Sequence, residues 1–271
     1  MTGMEISNLT KEKLRKMFAE GKRFDSRGLL DFRDIEISTD VSNKAEGSAR
    51  VKIGRTEVVV GVKLEVGEPY PDSPDKGNLM VSGDLLPLAS PRFESGPPKF
   101  PAIALPRLVD RAIRESEMID LSKLVIEKGE KVWTVVIDIY PINDDGNLVD
   151  ASTIGAVVAL KQTFFPALDK DGKIDYEKKT KIKLPTSKER TPLAFTFFKL
   201  GDSIIMDPTR EEEETCDTKI TFGISNWEKR YMVNSCQKEG EDTFTKEEIV
   251  KIMEILPKKF EELSKKIKNH I

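Results

Sequence analysis

Arg107, Arg111 and Arg114 stand at i, i+4 and i+7 in the stretch ESGPPKFPAIALPRLVDRAIR, residues 94–114. On a helix that spacing puts three guanidinium groups on one face. Guanidiniums are always charged and grip phosphate oxygens through paired hydrogen bonds, so the chemistry offered is the holding of phosphates. The same spacing also suits surface ion pairs, with Arg111 or Arg114 meeting Glu115, Glu117 or Asp110. In either case Ile103, Leu108, Ala112 and Ile113 supply the apolar stripe, leaving the arginines free of the core.

Two acidic segments could bear other chemistry. Asp144-Asp145-Gly146-Asn147 reads as a turn leading into a capped helix at Asp150, and Glu211–Glu214 within Asp207–Lys219 reads as a solvated acidic loop. No metal site is expected from the glutamates, because a charge run alone rarely chelates. The only histidine is His270, in a Lys-rich tail, so Ser-His-Asp, Cys-His and zinc-hydrolase chemistries lack their imidazole. There is no GxxxxGK[ST] and no GxGxxG, and no cofactor is expected. Net charge is −3, so nucleic-acid binding has to be local. Aromatic residues are few and sit mostly in apolar strands such as Phe195, Phe197 and Phe198, which favours backbone contact over base stacking. The Lys-rich end, Lys258 to Lys268, reads as a solvated helix face.

Residues 8–21 give a short amphipathic helix with Thr10 as its cap and Gly21 at its end. RVKI and EVVVGVKLEV flank Gly54-Arg55-Thr56 as a β-hairpin. Nine of the fifteen prolines lie between Pro69 and Pro106, predicting a long ordered loop with one strand within 78–88. A helix over 102–118 holds the arginines, a strand follows over 132–140, and a second helix over 150–165. Residues 169–190 read as a Lys-rich linker. Short strands are expected over 193–200, 204–206, 220–224 and 231–236. The last helix begins at a capping box, Thr245 to Glu248, buries Ile249, Met253, Leu256, Phe260, Leu263 and Ile267, and kinks at Pro257. Strand groups with helices on one side make a two-layer α+β architecture. The N-terminus, MTGMEISNLTKEKL, lacks a signal-peptide core, and no apolar run spans a bilayer, so no membrane role is expected. Cys216 and Cys236 form no framework and are taken as free thiols in a reducing compartment.

Taken together, RFDSRGLLDFR at 23–33, EGSARVKIGRTEV at 46–58 and the block from Glu94 to Ser152 resemble ribonuclease PH, and more closely the non-catalytic ring subunit of the archaeal exosome within that family. The resemblance runs from about Arg23 to Lys266. It implies a ribonuclease PH-like fold (ribosomal protein S5 domain 2-like) of two βαβα-type halves, with lobes at 1–186 and 187–271. It also implies a cytoplasmic hetero-hexameric ring with a catalytic ribonuclease PH-like subunit, RNA-binding cap subunits, and single-stranded RNA as ligand.

Active relatives cradle inorganic phosphate in a Gly-Gly-Thr-Arg-type loop. The matching stretch here is Gly146-Asn147-Leu148-Val149, with Val149 where the arginine belongs and Asp144, Asp145 and Asp150 around it. Active relatives also place one acid near Glu213 and a second six positions on, where Lys219 stands; a slip of two would bring in Asp217 instead. In the non-catalytic subunit the arginines of the first long helix serve RNA, and Arg107 and Arg111 match those positions. The resemblance thus implies no catalytic residues and an RNA contact set of Arg107, Arg111 and Arg114. Two other readings stay open: an active phosphorolytic 3′-to-5′ exoribonuclease, and a purely architectural subunit.

Overall fold

The computed structural model describes residues 7–169 and 174–271. Residues 1–6, the start of the N-terminal stretch expected to lack a signal-peptide core, and residues 170–173 of the expected linker lie outside the described residues.

In chain order the elements are α1 (Asn8–Ala19), β1 (Ile35–Thr39), β2 (Gly47–Ile53), β3 (Thr56–Gly67), β4 (Asn78–Gly83), α2 (Phe100–Glu115), β5 (Val125–Glu127), β6 (Lys131–Asn143), α3 (Leu148–Lys161), β7 (Phe164–Leu168), β8 (Ile174–Lys183), β9 (Leu193–Leu200), β10 (Ser203–Met206), α4 (Arg210–Thr215), β11 (Thr218–Trp227), β12 (Arg230–Gly240) and α5 (Lys246–Ile267). A first sheet runs β1-β2-β3-β6-β4 with β5 on β6, and a second runs β10-β9-β11-β12. All pairings are antiparallel except β4 with β6.

The expected two layers are in fact four. Helix α3 packs on β2 and β3 of the first sheet and on β9 of the second, and α2 bridges β4 and β12, so both helices lie between the sheets. Every residue of α3 from Leu148 to Leu160 is buried, which is why its sequence, LVDASTIGAVVALK, is apolar or small all round. Gly155 lets it approach β3: a Cβ there would sit 2.7 Å from Val60 Cγ2. Helix α5 covers the far face of the second sheet, where Phe260 meets Phe195 and Tyr231 at ring-centroid distances of 6.4 and 5.8 Å. Covered on both faces, β9 is buried along its whole length.

Several local expectations change. The cap of α1 is Ser7, whose side chain accepts from the Thr10 N–H. Much of the expected linker is strand: β8 pairs antiparallel with β7, with Phe164 opposite Lys183 and Leu168 opposite Ile174. The acidic run is no loop but α4, closed by a capping box of Thr209 and Glu212. Within α5 the Thr245–Glu248 box forms, Pro257 lies inside the helix, Ile252 takes the core position and Met253 is exposed. Helix α2 buries Leu105, Leu108, Val109, Ala112 and Ile113, whereas Ile103 points outward. Cys216 and Cys236 are free. Among the described residues no helix is long and apolar enough to cross a membrane.

Candidate functional site

At the start of α3 the chain turns through Asp144-Asp145-Gly146-Asn147, and three distant segments meet there. Gly146 has φ +87°, and a Cβ on it would lie 2.5 Å from the Pro208 carbonyl oxygen, so only glycine lets the turn close on the segment before α4. The next residue, Asn147, caps α3 in the left-handed conformation at φ 60°. Its N–H donates to Glu213 Oε2 at 2.8 Å, a contact across 66 residues of sequence. A loop amide ahead of a helix is where an inorganic anion would bind, and here the chain's own carboxylate sits on it.

Around Glu213 the charges are closed off in pairs. Lys219 Nζ lies 3.7 Å from Glu213 and 3.3 Å from Glu239 on β12. Burial works against the lysine's charge, but the two carboxylates outweigh it and raise its pKa. Arg92, which sequence reasoning did not single out, pairs with Asp144 at 2.7 Å and lies 3.8 Å from Glu214. Burial pushes the Asp144 carboxyl up in spite of Arg92. Val149 is buried and lines the same cavity of about 190 Å³, where apolar walls such as Phe93, Phe100, Leu105 and Leu148 face a charged side made of Arg92, Glu213, Lys219 and Glu239. Its guanidinium is that of Arg92 and not one at the Val149 position, and among the described residues the acids near Lys219, Glu213 and Glu239, are both paired with it. Asp217 is turned away, bonded to Lys11 Nζ at 2.6 Å and to the Gly201 N–H. Among the described residues no cluster of His, Cys, Asp or Glu is placed to hold a metal ion.

Behind the loop lies a buried network built from the RFDSRGLLDFR motif. Arg33 grips Asp207 through Nε and Nη2 at 2.9 and 2.7 Å and donates to the Asp145 and Gly146 carbonyls. Arg23 pairs with Glu212 and donates to the Met206 and Asp207 carbonyls. Burial alone would raise the Asp207 carboxyl, yet the Arg33 hydrogen bonds hold it below the usual carboxylate range. These arginines are framework, as their burial requires. The acidic run is correspondingly not solvated: Glu212 is buried against Arg23, Glu213 holds the loop amide, and Glu214 accepts from Arg210. Asp150, expected as a helix cap, instead reaches β9 and accepts from the Thr196 hydroxyl at 2.7 Å and from Asn147 Nδ2 at 3.2 Å. Complete burial raises its pKa to about 7.

The arginines of α2 lie outside this closed set. Arg107 is exposed and has no ion-pair partner among the described residues. Arg111 makes an i,i+4 pair with Glu115 at 2.7 Å, with its side chain 47% exposed. Arg114 is held twice, by Asp110 at 2.6 Å and by the Leu79 carbonyl at 2.9 Å. Phe100 and Ile103 precede Arg107 on the outward face and are exposed. Of the three guanidiniums, then, one is free, one is loosely paired and one is bound into the frame.

The chain matches the models of the 3′ exoribonuclease family, domain 1 over residues 31–166 and domain 2 over residues 191–255. It is 43% identical over 266 residues to the exosome complex component Rrp42 of Methanocella arvoryzae, covering 97% of this chain and 96% of that one. The Rrp42 of Archaeoglobus fulgidus is 51% identical over 203 residues, 75% of each chain. Among solved structures, a chain of the Archaeoglobus fulgidus exosome with RNA bound to the active site superposes with a TM-score of 0.82 at 41% identity, over 93% of this chain and 98% of that one. A chain of an archaeal exosome core superposes at 0.78 with 38% identity, over 92% of each.

Proposed function

Because the chain belongs to the ribonuclease PH family of 3′ exoribonucleases, we propose that it is a non-catalytic ring subunit of an archaeal exosome. In this reading it alternates with a catalytic homologue in a cytoplasmic six-membered ring, receives RNA-binding cap subunits, and helps hold single-stranded RNA for 3′-to-5′ degradation. We divide it functionally into lobes at 1–186 and 187–271. The observation that carries the reading is the Glu213 carboxylate on the Asn147 N–H, with Lys219 beside it. Phosphorolysis needs inorganic phosphate in line with the scissile phosphodiester and charge to offset what develops there. A fixed carboxylate in the cradle repels that phosphate, and an ammonium at the acid position repels a divalent cation.

What this chain gives the reaction is positioning. Arg107 has its whole hydrogen-bonding fork available, and Arg111 can exchange Glu115 for a phosphate because an exposed i,i+4 pair holds only weakly, at about 0.3–0.5 kcal/mol. Arg114 orients the helix against β4 and contacts RNA least. Recognition through phosphates is indifferent to sequence.

The test is reconstitution. The purified chain should release no nucleoside diphosphates from RNA with phosphate present, and adding a catalytic homologue should give a hexameric assembly that does. Phosphate-dependent release by the chain alone overturns the reading in favour of an active enzyme. A purely architectural role draws support from the Arg111 and Arg114 ion pairs. It is decided by replacing Arg107 and Arg111 with Glu in the ring: unchanged RNA affinity and salt dependence would establish it.

A further inference from the structure

A cleft of about 1060 Å³ opens at the other end of α3, and Lys161, Lys183, Lys188 and Lys229 all line it. They come from four places: the last turn of α3, the end of β8, the segment before β9, and the β11–β12 turn. None of the four is ion-paired among the described residues, although Glu189 and Glu228 also line the cleft. Lys161 Nζ is half-buried and donates only to the Ser187 carbonyl, at 3.1 Å. Burial and the like charge of Lys188 push its pKa below the ordinary lysine range. The negative end of the α3 dipole accounts for a lysine at position 161 but not for three more brought in from elsewhere. A cleft that gathers unneutralised ammonium groups, one of them partly desolvated, is complementary to an anion that enters it.

We propose that this cleft is a second phosphate-binding site, which holds the backbone of single-stranded RNA independently of the α2 arginines. The choice of RNA rests on the reading of the chain as a subunit of an RNA-degrading ring; the anion chemistry rests on the lysines alone. Ammonium groups act as point charges on phosphates. The aromatic rings that line the cleft are the largely buried Phe260 and the imidazole of His270, set against four lysines, so charge outweighs base stacking there. The contact is therefore electrostatic, blind to sequence and strongly salt-dependent.

The test uses the full chain, alone and in the reconstituted ring, with a fluorescent oligoadenylate titrated at several salt concentrations. The triple variant Lys183→Glu, Lys188→Glu, Lys229→Glu changes exposed residues only, and Lys161→Met is made separately. A control carries Lys251→Glu and Lys265→Glu on the exposed face of α5. We expect the triple variant to lose tenfold or more in affinity. Its salt slope should fall by about 0.7 per phosphate contact removed. The control should stay near wild type, and the loss should multiply with that of Arg107→Glu, Arg111→Glu. Affinity and slope equal to the control overturn the proposal. If assembly with the catalytic homologue is lost instead, the cleft seats an acidic protein surface; if assembly is kept, it is a solvated face. No RNA binding by the wild-type chain or ring overturns it too. A chain that binds RNA through these lysines but joins no ring would leave this site standing and remove the ring reading.

Discussion

The two ends of α3, roughly 20 Å apart at 1.5 Å per residue, treat charge in opposite ways. At the N-terminal end each charged group is answered from within the chain: Glu213 by the Asn147 amide and Lys219, Asp207 by Arg33, Asp144 by Arg92. At the C-terminal end four lysines share a cleft without a carboxylate partner among the described residues. Helix dipoles alone would give the reverse, since an N-terminus attracts outside anions and a C-terminus is content with cations. In this family member the chain's own Glu213 carboxylate takes the loop amide at the N-terminal end, and under the readings proposed above RNA phosphates are met on α2 and in the lysine cleft.

The sharpest way to break the contrast is to unlock the closed end. Asp207→Ala strips Arg33 and Asn147 of their shared buried carboxylate and leaves a guanidinium without compensation. Removing one partner of a buried pair costs about 3–5 kcal/mol. We expect that loss in a denaturant titration, with the midpoint lowered and the slope unchanged. A loss within about 0.5 kcal/mol would mean that the network is not what holds the turn, the RFDSRGLLDFR segment and α4 together.

Next in size is a pH effect at the same end. Asp150 titrates at about 7 in the folded chain against an ordinary 3.8. Between those values the folded state keeps a proton that the unfolded chain has released, so this group makes stability fall as pH rises from about 4 to 7, and not change above that. The slope is at most about 1.4 kcal/mol per pH unit. Asp207 works in a separate window: its lowered pKa gives stability above the usual carboxylate range that is lost on acidification through it. Thermal melts of Asp150→Asn across about pH 2–8 should be flatter than wild type between about pH 4 and 7 and keep the wild-type slope in the acid limb below that. Parallel curves would show that Asp150 is not the titrating group.

How much of this was legible differs between the two ends. The β2–β3 hairpin, α2, β6 and the α5 capping box follow from period and cap residues, because their side chains alternate or repeat locally. The family was legible in the motifs at 23–33, 46–58 and 94–152 together. The expectation that phosphate is excluded rested on Val149 in the arginine's place with Asp144, Asp145 and Asp150 around it, and none of these three carboxylates lies on the Asn147 amide. Asp145 faces Arg33 and Arg55, Asp150 is turned to Thr196, and the carboxylate on the loop amide comes from Glu213. No local pattern encodes a contact across 66 residues. Arg23 and Arg33 look like a basic surface motif until their buried partners are known. The lysine cleft was hidden for the same reason: its members are spread from 161 to 229, and each reads singly as a surface residue.

Glu213→Ala tests the filled end with a smaller change. It frees the Asn147 N–H and leaves Lys219 with Glu239 alone. Loss of a hydrogen bond to a charged group costs about 1.5–3 kcal/mol. In exchange, the cavity gains an unopposed amide and a partly released ammonium. Calorimetry with inorganic phosphate should then detect millimolar binding that wild type lacks, weakened by salt. Phosphate binding equal in wild type and variant would show that Glu213 does not occupy the anion's place.

The smallest expected effect on stability is also the one that separates ligand groups from framework on α2. Arg111→Ala removes an exposed pair and should change stability by no more than about 0.5 kcal/mol, whereas Arg114→Ala removes a doubled grip on Asp110 together with the Leu79 carbonyl contact. If α2 presents phosphate contacts at its free positions and spends Arg114 on holding the helix to β4, the two variants should cross over. Arg111→Ala would lose RNA affinity at nearly constant melting temperature, and Arg114→Ala would melt earlier while binding RNA almost as wild type does at temperatures where it is folded. Equal RNA losses would put Arg114 among the ligand groups, in which case Asp110 must release it on binding, and Asp110→Asn should then raise RNA affinity. The pairing geometry argues against that release, because Arg114 uses both Nε and Nη2 on Asp110, at 3.0 and 2.6 Å, while Arg111 offers a single contact to Glu115.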